Sequence, residues 1–164
     1  MEEKLSRCVL RVLNRQAETA GTAFLIAPGV AVTCAHVAAY AAGLTADTSE
    51  QARGAVICVQ YEDLPAVDAT VLAEYWLPVS GGDVAVLRLD STPAGMEPAR
   101  LAYSRRSDGS DYAAYGYPRG TGMAQAAWDR DEIKGHVPTK SGQDHLQLTG
   151  NLMGPGFSGG PVLD

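Results

Sequence analysis

Hydrophobic and polar positions along this chain change over in short blocks. Cys8-Val9-Leu10-Arg11-Val12-Leu13 is β-branched and leucine-rich and is soon followed by turn-prone residues. Gly21-Thr22-Ala23-Phe24-Leu25-Ile26 and Val30-Ala31-Val32-Thr33 flank Pro28-Gly29, which reads as a hairpin. Ala35 to Ala42 is alanine-rich, enough for one or two helical turns ended by Gly43, and Leu44 to Gly54 is polar and loop-like. Ala55–Tyr61, Val67–Tyr75 and Val84–Leu89 then read as strands. Short strands with one helical turn suit a barrel or sandwich, not alternating βαβ units.

Asp90 to Pro98 carries proline, glycine and polar residues without periodicity and is the linker candidate. It divides the chain into residues 1–90, a linker at 91–98, and 99–164. In the second part Asp111–Tyr117 reads as a strand. Gly122–Trp128 and Ile133–Pro138 read as the two arms of a long hairpin, and His145–Leu148 alternates as a half-buried strand does. Pro161-Val162-Leu163-Asp164 begins one more strand.

With 46% hydrophobic and 20% charged residues, the 164-residue chain can pack a core. Its net charge of -6 argues against a non-specific grip on nucleic acid or an anionic membrane. No apolar run approaches the roughly 20 residues of a membrane helix. Cys8, Cys34 and Cys58 are odd in number and irregularly spaced, which suits neither a disulfide framework nor a structural zinc site. The expectation is a reduced, cytoplasmic protein that needs no metal or other cofactor.

Gly154-Pro155-Gly156-Phe157-Ser158-Gly159-Gly160-Pro161 has little side-chain surface to bury, so its backbone sets its shape. Its reactive group is the Ser158 hydroxyl, flanked by glycines whose N–H groups are unhindered. Acyl transfer needs that combination of nucleophile and oxyanion donors; a glycine-rich surface turn needs nothing more than the same glycines. A serine nucleophile also needs a base. His136 and His145 fall in strand-like segments and read as sheet-face histidines. His36 lies at a strand-to-helix junction among small residues, in Thr33-Cys34-Ala35-His36-Val37. Asp83 follows Gly81-Gly82 and opens the apolar run Val84-Ala85-Val86-Leu87. Taken singly, His36 could be structural and Asp83 a strand-initiating residue.

The three blocks Thr33-Cys34-Ala35-His36, Asp83-Val84-Ala85-Val86-Leu87 and Gly156-Phe157-Ser158-Gly159-Gly160-Pro161 occur in that order. Together they resemble the signature blocks of the trypsin-like (chymotrypsin-fold) serine proteases, in particular the bacterial branch related to the HtrA proteases. The order His, Asp, Ser separates them from α/β-hydrolases, where Asp and His follow the serine, and from subtilisin-like enzymes, where Asp comes first. The resemblance implies an all-β fold of two packed antiparallel barrels. It implies Ser158 as nucleophile, His36 as general base and then acid, Asp83 as its orienting carboxylate, and the N–H groups of Gly156 and Ser158 as the oxyanion hole. The substrate implied is a polypeptide.

Four points qualify the resemblance. The disulfide that secreted members carry beside the histidine maps onto Gly21 and Val37. The acidic residue that precedes the nucleophile in trypsin, and pairs with the new N-terminus, is Phe157 here. Leu152 and Met153 stand where the specificity pocket is lined, which favours an apolar P1 side chain. The family also has strands beyond the serine block, whereas this sequence stops at Asp164. The expectation is therefore an incomplete second barrel, with Gly154–Pro161 displaced and Ser158 Oγ out of reach of His36. Two functions fit: an endopeptidase, on its own or joined to effector or sensor regions of a longer bacterial protein, or an inactive protease-fold module that binds or regulates.

Overall fold

The structure, a computed structural model, describes residues 5–102, 108–119, 125–138, 144–150 and 154–163. Six strands come first: β1 (Val9–Leu13), β2 (Thr19–Ala27), β3 (Val30–Thr33), β4 (Val56–Gln60), β5 (Val67–Val71) and β6 (Ala85–Leu89). They close into an antiparallel barrel in the order β1-β2-β3-β6-β5-β4. Period-two alternation explains the closure: Ile57 and Val59 of β4, and Ala85, Leu87 and Leu89 of β6, are buried, while Cys58 and Arg88 between them are exposed. Leu10, Val12, Leu25, Val59, Val71 and Leu87 fill the interior. Register shifts at Val12/Leu13 and Leu25/Ala27 mark bulges, which supply the extra bend a small barrel requires.

Helix α1 (Ala35–Ala41) leaves β3 and turns its small side chains Ala35, Val37, Ala38, Ala39 and Ala41 onto the barrel. Two connections differ from the sequence expectation. The polar stretch expected as a loop forms a 3₁₀ helix at Ala46–Ala52, opened by reciprocal Thr45/Thr48 capping. It is tied down by a hydrogen bond from Trp76 Nε1 to Glu50 Oε1 (3.0 Å). The strand expected to reach Tyr75 stops at Val71 and gives way to a 3₁₀ turn, Ala73–Tyr75.

The segment after β6 doubles back on the barrel. Glu97 N–H donates to Arg7 O (3.1 Å), Ala99 N–H donates to Leu25 O (2.8 Å), and Arg7 pairs with Glu97 at 3.0 Å. Beyond it lie β7 (Asp111–Gly116), β8 (Ala127–Pro138), β9 (Asp144–Leu148) and β10 (Val162–Leu163). They form a four-stranded sheet in the order β10-β7-β8-β9. The described strands thus make a closed six-stranded barrel and a second, partial sheet, as expected for a chymotrypsin-like double barrel.

The expected hairpin within 122–138 is not formed by the described residues. Instead β8 runs unbroken for 12 residues through Asp129-Arg130-Asp131-Glu132. The hairpin reading leaves these four residues between its two arms, but they lie within the strand: Tyr112 O–H donates to buried Asp129 at 3.2 Å, and Arg130 lies 5.1 Å from the Trp128 ring centroid. The strand bends at Gly135 (φ 120°), where its register against β9 shifts. A second small core, of Tyr112, Ala114, Ile133 and Phe157, lies on this sheet.

Candidate active site

His36 is the second residue of α1, and Cys34, extended at φ -73° and ψ 144°, is its N-cap without a side-chain cap bond. The first turn of a helix has N–H groups with no partner inside the helix. Asp83 supplies one: its Oδ1 accepts from His36 N–H at 3.0 Å, and its Oδ2 lies 2.6 Å from His36 Nδ1. One carboxylate therefore holds both the backbone and the ring of the same histidine. This fixes the ring's orientation and leaves Nε2 to face outward. Asp83 reaches this position by a sharp local turn. Gly82 has φ 136° and Asp83 itself φ 56°, a left-handed conformation that Asp tolerates better than most residues. Asp83 N–H donates to Pro78 O (3.0 Å), and Val84 bridges to Leu77. The His36 side chain is 48% exposed and that of Asp83 26%.

The serine segment is held from two sides. Thr22, fully buried in β2, donates its hydroxyl to Gly156 O (2.6 Å) and accepts from Tyr117 N–H (3.0 Å). Thr22 N–H also donates to Ser158 O (2.9 Å). On the other side Arg119 N–H donates to Pro155 O (2.7 Å). A trans peptide points its N–H opposite its C=O, so the Pro155–Gly156 peptide aims the Gly156 N–H away from Arg119. Among the described residues neither Gly156 N–H nor Ser158 N–H has a hydrogen-bond partner. Gly156 has φ 105°, and a Cβ there would run into Tyr117 O and approach Arg119 N to 2.7 Å. The sequence expectation has this segment relying on strands past residue 164 for support. Its ties run instead to β2 and to residues 117–119.

Phe157 explains how the segment is anchored without an acidic residue before the serine. Its ring is buried in the second core with Tyr112, Ala114 and Ile133, an anchorage of roughly 2 kcal/mol. Gly21 and Val37 do face each other: a Cβ on Gly21 would come within 2.7 Å of both Val37 methyls. The space a disulfide would take is therefore filled by valine, and Cys8, Cys34 and Cys58 are all free thiols.

His36 and Ser158 line one cavity of about 450 Å³ with Ala20, Tyr40, Arg119, Gly154, Pro155 and Gly156. Among the described residues the hydrogen bonds of His36 go to Asp83, and Ser158 Oγ makes none to the ring. Leu152 and Met153 fall outside the described residues. His136 and His145 lie on the β8–β9 pair, His136 being 3.6 Å from Asp108. Cys34 is half-buried. Its Sγ, a His36 nitrogen and an Asp83 oxygen lie within 4.8 Å of one another. Burial first, and the Asp83 charge second, push the Cys34 thiol up to about 11. A thiol so held stays protonated at neutral pH, and both Asp83 oxygens already serve His36, so the trio is a poor cation site.

Sequence reasoning missed Thr22, Tyr40 and Arg119. The signal for Thr22 was a hydroxyl inside an otherwise apolar strand, since a buried hydroxyl is nearly always hydrogen-bonded. Nothing local marks Arg119 or Tyr40.

The sequence profile of the trypsin-like peptidase domain matches residues 21–164. No curated protein sequence matches the chain. Among solved structures, the inactive form of a serine-to-alanine mutant of Rv3671c from M. tuberculosis H37Rv is similar, with a TM-score of 0.71 and 25% identity over 98% of this chain and 70% of that one. The HtrA-type protease AlgW with tripeptide is also similar, with a TM-score of 0.70 and 21% identity over 99% of this chain and 48% of that one.

Proposed function

The chain belongs to the trypsin-like peptidase domain family, and we propose that it is a serine endopeptidase acting through His36, Asp83 and Ser158. The observation that carries this reading is the two-point hold of Asp83 on His36, at 2.6 Å and 3.0 Å, beside a cavity that His36 shares with Ser158. In the proposed reaction His36 Nε2 takes the Ser158 proton as the hydroxyl attacks the peptide carbonyl. The new C–O bond makes a tetrahedral oxyanion, which the Gly156 and Ser158 N–H groups receive. His36 then returns the proton to the leaving amine as the C–N bond breaks, and water repeats the sequence on the acyl-enzyme. Asp83 keeps the proton of His36 on Nδ1, so that Nε2 is the basic atom.

Residues 1–90 would supply His36 and Asp83, residues 99–164 would supply Ser158, and 91–98 would join them. Leu152 and Met153 remain the proposed lining of an apolar P1 pocket. Three free cysteines support a reducing, cytoplasmic setting. A bacterial source and attachment to further domains follow only from the family resemblance. The test is covalent: a peptidyl phosphonate ending in leucine should add one adduct, located on Ser158 by peptide mass spectrometry. Failure to label, with the protein folded, would instead favour the inactive binding or regulatory module, the reading that the missing Ser158–His36 hydrogen bond supports.

A further inference from the structure

Tyr40 and Arg119 come from different halves of the fold and meet at the edge of the cleft. Arg119 Nη2 donates to Tyr40 Oη at 3.1 Å, and its Cζ lies 4.6 Å from the ring centroid. Tyr40 stands one helical turn after His36, on the same face of α1. Arg119 is bound through its own N–H to Pro155, next to the Gly156 donor. The guanidinium is therefore held on Tyr40, at the edge of the cavity that His36, Gly156 and Ser158 line.

Tyr40 also lines a second cavity of about 190 Å³, with Asn14, Arg15, Gln16, Gly43 and Leu44. Gly43 (φ 74°) leaves the room that the Arg15 side chain occupies, since a Cβ there would lie 2.9 Å from its Nε. Tyr40 thus lines both cavities, and each lining holds one arginine. No Asp or Glu is among their lining residues, and the nearby Glu18 carboxylate accepts from Asn14 Nδ2 at 3.1 Å. Among the described residues neither Arg15 nor Arg119 forms an ion pair. In a chain of net charge -6, the linings of these two cavities hold, among the described residues, two arginines and no carboxylate.

We infer that this flank selects polypeptides with acidic side chains directly after the scissile bond. The inference rests on the serine endopeptidase reading and names the substrate class of that same cleft. In the proposed reaction His36 hands its proton to the leaving amine, so the leaving-group residues lie on the His36 side of the cleft, the side that Tyr40 bounds one turn further along α1 with Arg119 against it. Arg119, pre-ordered on Tyr40, offers its remaining N–H donors as a planar fork to a carboxylate. Arg15 meets a second acidic residue further along.

The experiment uses the full chain with Ser158→Ala, so that binding is read without turnover. Short fluorescein-labelled peptides share one sequence up to a leucine and continue with Glu-Glu, Gln-Gln or Lys-Lys. Fluorescence anisotropy should give Glu-Glu about tenfold tighter binding than Gln-Gln, with Lys-Lys weakest. Adding Arg119→Gln should bring Glu-Glu and Gln-Gln together, and Arg119→Glu should favour Lys-Lys. Arg15→Gln should reduce the preference by a smaller factor. Arg88→Gln, on the exposed face of β6, should leave it unchanged. Equal binding of the three peptides, binding of none, or a preference that survives both Arg119→Gln and Arg15→Gln overturns the inference. Phosphonate labelling of the unmutated chain separates the two readings. A labelled Ser158 without acidic preference sinks only this inference; acidic preference without labelling sinks the endopeptidase and with it the placement after a scissile bond, leaving an acidic-peptide site on an inactive module.

Discussion

Replacing Thr22 by valine keeps the shape of a fully buried side chain and removes its hydroxyl. Two buried groups then lose their partner: Gly156 O, now accepting at 2.6 Å, and Tyr117 N–H, now donating at 3.0 Å. Each orphaned buried group costs about 1–3 kcal/mol, and the added methyl returns no more than about 1 kcal/mol. A net loss of about 3 kcal/mol is expected. With a urea slope of roughly 2 kcal/mol per M, the midpoint should fall by about 1.5 M. Thr22→Ser keeps the hydroxyl and loses only the buried methyl, for about 1 kcal/mol. Activity should separate the pair further. The Gly156 carbonyl is the group that holds the backbone of the proposed oxyanion hole, where a single donor is worth about 10²–10³ in rate. Thr22→Val should therefore lower kcat by at least about tenfold, while Thr22→Ser stays near the unmutated rate. A Thr22→Val protein no less stable and no slower than Thr22→Ser would refute the argument, because hydroxyl and methyl would then contribute alike.

Ser158→Ala should lower peptidase kcat by a factor of about 10⁶ with the fold retained by circular dichroism, and His36→Ala should match it within about tenfold. Asp83→Asn should cost about 10⁴ in kcat through the wrong His36 tautomer; a loss of that size from Asp63→Asn or Asp68→Asn instead would show that the wrong carboxylate was chosen. Burial pushes both the Cys8 and Cys34 thiols up to about 11, from 9.0 for a free thiol. At pH 8 only about one in 10³ such thiols is ionised, so iodoacetamide should modify exposed Cys58 first, and Cys8 only on unfolding. The same groups make stability pH-dependent with a definite sign. The folded chain holds these protons more tightly than the unfolded one, so stability is complete below about pH 9 and declines as pH rises from 9 to 11. A urea midpoint that stays flat over that interval would contradict the assignment.

Much of the first barrel could be read from local pattern because its strands are short, apolar and punctuated. Pro28-Gly29 sits in the β2–β3 hairpin, and alternation in β4 and β6 matches their burial. The errors came where tertiary partners overrode local character. Asp129 to Glu132 reads as a turn until Tyr112 is beside it to satisfy Asp129. The polar run after α1 reads as loop because the residue that orders it, Trp76, lies 26 positions from Glu50. Propensity carries no information about such partners.

The candidate site divides along the same line. His36, Asp83 and Ser158 were legible because each sits in a block of unusual composition, and their order is informative. The hold on the serine segment was not, since Thr22 lies 134 residues from Gly156 and 95 from Tyr117. That separation has a mechanical consequence. The histidine and its carboxylate sit on the rim of a closed barrel, where every strand has two neighbours. The serine segment joins that barrel through Thr22 and joins the open sheet through Phe157. The placement of Ser158 therefore depends on contacts from both halves, whereas the His36–Asp83 pair is made within the first. An absent Ser158–His36 hydrogen bond beside an intact His36–Asp83 pair is the pattern this division produces. Strengthening the junction at Thr22, by a substrate bridging both halves for instance, is then expected to act on Ser158, the proposed nucleophile, and to leave the His36–Asp83 pair as it is.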